Sequence, residues 1–174
     1  MFFAKLTGSI CLITACTLYS RLIFLQYKRY IADLNQIYQI LYRIRGEIAY
    51  SRSPLDDILY HIRNQFPEPF HTWLSNLMKQ ITLRKFTKFD SLWTERITED
   101  LNTIRLKPGH RMLLAEFGQH LGSIDYETEA GTMQMVLERF KTEIQKEEST
   151  LKTKNKLCNY LGFMTGLFLV ILLL

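Results

Sequence analysis

Seven side chains in this sequence have the chemistry to ligate a soft metal or act as strong nucleophiles: His61, His71, His110, His120, Cys11, Cys16 and Cys158. A metal site built from imidazole and thiolate is recognised in a sequence by closely spaced ligands, as in HExxH or CxxC. No pair here has that spacing, and His110 and His120 lie ten residues apart, too far to share one ion on a helix. The histidines therefore read as helix-surface residues. All three cysteines fall in or beside apolar segments, which implies neither a disulfide framework nor a zinc cluster. Glu95, Glu99 and Asp100 have the spacing of a solvated helix face. Gly118-Gln-His-Leu-Gly122 reads as a helix end, not as a phosphate-cradling loop. Trp73 and Trp93 stand at core spacing. No catalytic, cofactor-binding or metal-ligating residue is assigned, and the chain is expected not to be an enzyme.

One short pattern points to covalent chemistry of another kind. Ile13-Thr-Ala-Cys16 fits the aliphatic-small-small-cysteine run that lipoprotein processing uses. It sits inside an uncharged segment, residues 6–19, bounded by Lys5 and Arg21. Three readings compete for that segment: a membrane-spanning helix, a cleaved signal peptide, and a lipoprotein signal that anchors an exported protein at Cys16. Charge favours the first. Arg21, Lys28 and Arg29 follow the segment, whereas only Lys5 and the amino terminus precede it. Basic residues stay in the cytoplasm, which is the reverse of an exported domain.

The other end of the chain is more apolar still. Residues 160–174 carry no charge and offer water no polar face. A helix in a bilayer satisfies its own backbone and gives such side chains hydrocarbon to meet. Counted from Leu157, the helix would rise about 27 Å, enough for a thin bilayer if Lys156 reaches back to the interface. Lys152, Lys154 and Lys156 precede it, so both basic flanks face the middle of the chain. The expected organisation is a transmembrane segment at 1–25, a cytoplasmic part at 26–156 and a second transmembrane segment at 157–174. The net charge of +5 is modest. Its placement beside the spans suits anionic lipid headgroups better than nucleic acid. Small residues mark one face of each span: Gly8 in the first, Gly162 and Gly166 in the second. They allow close helix packing in lipid, within one molecule or between copies in a homo-oligomer.

Between the spans every apolar pattern has helical period. Tyr27, Tyr30, Ile31, Leu34, Ile37, Leu41, Ile44 and Ile48 repeat at three and four, so one long helix is expected to leave the membrane and run to about residue 50. Ser53-Pro54 with Asp56 and Asp57 marks a new helix start, Ser53 being the expected cap and Pro54 the first helical residue. Further helices are expected over about 69–81, 89–105 and 109–121. The last begins with Asp125 as its cap and continues into the second span. Arg84, Lys85 and Lys88 form a basic connector. The fold class is all-α: a cytoplasmic bundle of about six helices whose first and last members extend into the membrane. A middle part of this length is large enough for a real core.

The combination resembles the stage III sporulation protein AB family over nearly the full length. Glu47-Ile-Ala-Tyr50 followed by Ser53-Pro-Leu55 resembles the family's acidic-aliphatic-aromatic stretch before a Pro-Leu helix start. Phe117-Gly-Gln-His-Leu-Gly122 followed by Asp125 resembles its FGxxLG element, and residues 161–174 resemble its closing span. Where the family tends to have glutamines after that element, this chain has Glu129-Ala-Gly131. The resemblance implies a mother-cell membrane protein of an endospore-forming bacterium, part of the channel-like complex that links mother cell and forespore. The family's helical domain is similar to the cytoplasmic domains of the type II secretion platform protein. By that analogy the protein would be a platform that recruits the complex's secretion-type ATPase and neighbouring membrane subunits. The candidate docking corners are Glu47, Tyr50 and Pro54 on one side, and Phe117, Gly118, Gly122 and Asp125 on the other.

Overall fold

The computed structural model describes the backbone of residues 2–51, 53–84, 86–121 and 126–173, and the side chains of residues 14, 18, 21–50, 53–84, 86–121, 131–153 and 164. Within that set the chain is all helical, with no strand. Six α-helices follow one another: α1 (Phe2–Ser51), α2 (Leu55–Arg63), α3 (Phe70–Thr82), α4 (Phe89–Asp100), α5 (Pro108–Leu121) and α6 (Tyr126–Leu173). A 3-10 turn, Asn102–Ile104, lies between α4 and α5. Two compact units are formed, residues 33–144 and residues 1–32 with 145–174.

The unit of residues 33–144 holds the core. The sequence repeat on α1 becomes its buried stripe, with Leu34, Ile37, Ile40, Leu41 and Ile44 all at 0 % exposure. α2 packs on α3, α3 on α4 and α4 on α5. α2 buries Ile58, Leu59 and Ile62, and α3 buries Phe70, Trp73, Leu74 and Leu77. α6 closes the unit with Met133, Val136, Leu137, Phe140 and Ile144. The two tryptophans meet at the centre with ring centroids 5.1 Å apart.

Two boundaries differ from the sequence expectation. α4 stops at Asp100 instead of running to 105. Leu101, Ile104 and Leu106 are all buried, and Arg105 takes a left-handed conformation (φ 52°) between the last two. A continuing α-helix would have swung Leu106 away from the core, so the chain turns first and Pro108 then opens α5, where its missing N–H costs nothing. At α2, Pro54 occupies the N-cap position and Leu55 is the first helical residue. No side-chain oxygen caps that end, and Asp56 and Asp57 supply negative charge in the first turn.

In the other unit, the Tyr27 hydroxyl donates to the Glu147 carboxylate, and the Tyr27 and Tyr30 rings lie 6.4 Å apart. This unit also exposes Leu18, Leu22, Ile23 and Leu25 on α1 and Met164 on α6. Among the described residues no helix is long and apolar enough to cross a membrane. Most side chains of the two apolar terminal segments lie outside the described set, as do the small-residue positions Gly8, Gly162 and Gly166.

Candidate docking surface

The corner that closes α1 is built by a change of helix face. Ile44 and Ile48 hold this end of α1 on the core, at 0 % and 8 % exposure. The intervening Glu47 and the following Ala49 and Tyr50 therefore project outward. Tyr50 is 95 % exposed, the most exposed of the large apolar side chains among the described residues. Pro54, three residues beyond the helix end, is exposed as well. Glu47, Tyr50 and Pro54 thus lie on the surface. Cation-on-ring contacts occur in this part of the unit, with the Arg43 guanidinium 5.3 Å from the Phe66 centroid and that of Arg63 4.8 Å from Tyr60. Tyr38 and Tyr42, a turn apart on α1, stack at 6.2 Å.

The second corner is of a different nature. Phe117 is at 0 % exposure, and Gly118 is buried on α5. The reason is Trp93. Its indole Nε1 donates to the Leu114 carbonyl at 2.7 Å, and its ring lies against Gly118. A Cβ at residue 118 would overlap the indole Cδ1, Cγ and Nε1 atoms. Phe117 packs on the same ring at 6.4 Å and Phe89 at 6.0 Å. The FGxxLG element is therefore, at Phe117, Gly118 and Leu121, a seat for Trp93 and a stripe of core. Phe117 and Gly118 are both buried within this unit. Gly122 and Asp125 lie outside the described residues.

Two sequence expectations about polar residues require correction. His110 is not a helix-surface residue: it is 4 % exposed and meets Phe140 edge-on, with centroids 6.0 Å apart. It precedes Leu113, Leu114 and Phe117 by three, four and seven residues, which is the buried face of α5. Asp100 is likewise not solvated, since its side chain is 10 % exposed. Asn76 Nδ2 on α3 donates to its Oδ1 at 2.9 Å, and Arg96 Nη1 stands 3.8 Å away. Burial pushes the Asp100 carboxyl above the usual carboxylate range, against the opposing pull of Asn76 and Arg96. Arg96 also binds Glu95 at 2.9 Å and pairs with Glu99. The group ties α3 to α4 as a structural clasp. Its signal in the sequence was Arg96 set among three acids, with Asn76 the distant member that no spacing could reveal. Among the described residues no group of three His, Cys, Asp or Glu could hold a metal ion.

Comparison with known proteins adds the following. The family model described as Stage III sporulation protein AB (spore_III_AB) matches residues 5–174. A protein of Bacillus subtilis (strain 168) named Stage III sporulation protein AB is 24% identical over 170 residues, covering 98% of this chain and 99% of the relative. No solved structure matches.

Proposed function

Because the chain belongs to the stage III sporulation protein AB family, we propose that it is a non-catalytic membrane platform of the sporulating mother cell. In this reading both terminal helices enter the bilayer and the all-α unit of residues 33–144 faces the cytoplasm. That unit recruits a secretion-type ATPase and neighbouring membrane subunits of the channel-like complex.

The observation that carries the membrane part is the run of exposed apolar side chains on α1. Leu18, Leu22, Ile23 and Leu25 are 62 %, 59 %, 49 % and 49 % exposed. The large aliphatic side chains of residues 33–144 are mostly at the opposite limit, buried in the core. A helix that leaves three leucines and an isoleucine bare over two turns is matched to a hydrocarbon solvent. Lys28 and Arg29 follow within one turn of that run, where positive charge meets anionic headgroups on the cytoplasmic side.

The docking part rests on the α1 corner. Tyr50 combines a large rigid ring with a polar tip, the side-chain type that dominates interface energetics when a partner buries it. Glu47 beside it supplies a charge that steers a basic patch. Substitution of Glu47 by Lys, or of Tyr50 by Ala, is expected to reduce recovery of the ATPase with the full chain from sporulating cells by about tenfold, the effect of losing one ordinary interface anchor. Both variants should remain in the membrane fraction at wild-type levels. Undiminished recovery with both variants would remove this corner from the docking surface.

A further inference from the structure

A second surface, on α5 and α6, bears on assembly and is independent of the platform reading. Met112 and Met135 are 62 % and 60 % exposed. Each stands one turn before a charged residue on its own helix, Met112 before Glu116 and Met135 before Arg139. Glu116 Oε1 accepts from Arg139 Nη1 at 2.7 Å, which joins the two helix faces into one surface. The pair is itself open to solvent, with side chains 29 % and 53 % exposed. Two long, exposed apolar side chains thus stand one turn from an accessible ion pair that joins α5 to α6.

We infer that this α5–α6 face binds a second copy of the same chain. The charges decide the occupant. A strongly basic partner would set like charge against Arg139, and a strongly acidic one would do so against Glu116. The Glu116–Arg139 pair offers one charge of each sign, and such a pair is complementary to a second copy of itself. A two-fold axis along the groove between α5 and α6 sets Glu116 of one copy opposite Arg139 of the other, and the reverse pair follows by symmetry. The intramolecular pair then becomes a ring of four alternating charges. The methionines flank that ring, and their unbranched, flexible side chains adapt to an irregular apolar contact. The rest of the chain disfavours self-contact, because a net charge of +5 repels its own copy. A locally neutral face is where that repulsion is weakest.

Charge reversal by mixing tests this directly. The full chain is purified in detergent and its self-association followed by sedimentation, at low and high salt. Glu116→Arg and Arg139→Glu should each weaken self-association by about tenfold, because each homodimer then faces like charges across the axis. Mixing the two variants should restore it, because every intermolecular pair is again of opposite sign. A purely intrachain role for the ion pair predicts no recovery on mixing. Circular dichroism of each variant verifies that its helices are intact. Crosslinking gives the second readout and leaves the charges untouched. Met112→Cys and Met135→Cys are placed in separate chains in which Cys11, Cys16 and Cys158 are replaced by Ser. A short bismaleimide should then join residue 112 of one copy to residue 135 of the other. A monomeric wild-type chain would overturn the inference. So would single variants that associate normally, absence of rescue by mixing in folded variants, or no crosslink between the two methionine positions.

Discussion

Gly118→Ala destabilises the folded unit of residues 33–144 by about 1–3 kcal/mol, the range for forcing one extra carbon into a filled core. Alanine is normally the better helix former, so on an exposed helix the change would be worth up to about 1 kcal/mol in the opposite direction. The sign is reversed by one neighbour. The new Cβ would overlap the Trp93 ring, and that ring has nowhere to go. Its Nε1 is held by the Leu114 carbonyl at 2.7 Å. Its faces are held by Trp73 at 5.1 Å and Phe117 at 6.4 Å, and its exposure is 0 %. Relief requires either loss of a buried hydrogen bond, which leaves a donor unpaired, or separation of α4 from α5. Thermal unfolding followed by circular dichroism should show a Tm lower by roughly 2–10 °C. The double variant Gly118→Ala with Trp93→Leu should lose less than the sum of its parts, since the smaller side chain makes room for the methyl group. An unchanged Tm in Gly118→Ala would mean that α4 and α5 are not in close contact at this point.

Ile13→Lys combined with Leu167→Lys should detach the protein from the membrane. A lysine near the centre of a span costs about 2.5–3.5 kcal/mol of insertion free energy. Each single variant keeps one intact anchor and should remain membrane-bound. The pair removes both, and the protein should pass to the soluble or aggregated fraction after cell lysis and ultracentrifugation. A double variant that sediments with membranes and is released only by detergent would count against terminal spans as the anchors.

Much of the fold could be read from the sequence because its strongest signal was periodic. The α1 stripe, the cores of α2 and α3, and the restart after Ser53-Pro54 are local features. Spacing of three and four residues reports them without knowledge of the partner. Glu47 and Tyr50 fall off that stripe, and Pro54 lies in the turn beyond the end of α1. What the sequence did not disclose was set by tertiary neighbours. His110 is polar by type but sits on the same face as Leu113, Leu114 and Phe117, and the packing of Phe140 against it buries the ring. Asp100 looked solvated because its hydrogen-bond donor, Asn76, is 24 residues away on another helix. The end of α4 was misjudged because Leu106, two residues beyond Ile104, is also held in the core. Gly118 could be noticed as part of a motif, but its reason, the Trp93 ring, is 25 residues upstream and is visible only once α4 lies on α5.

The central claim is that a helical unit is held on the cytoplasmic face of a membrane by both terminal helices. Reporter fusions test it most directly, one after residue 30 and one after Leu174, using a reporter pair active on opposite sides of the membrane. The account predicts a cytoplasmic signal after residue 30 and an external signal after Leu174, both in the membrane fraction. A cytoplasmic signal at both positions, with the intact chain left in the supernatant after ultracentrifugation, would contradict it.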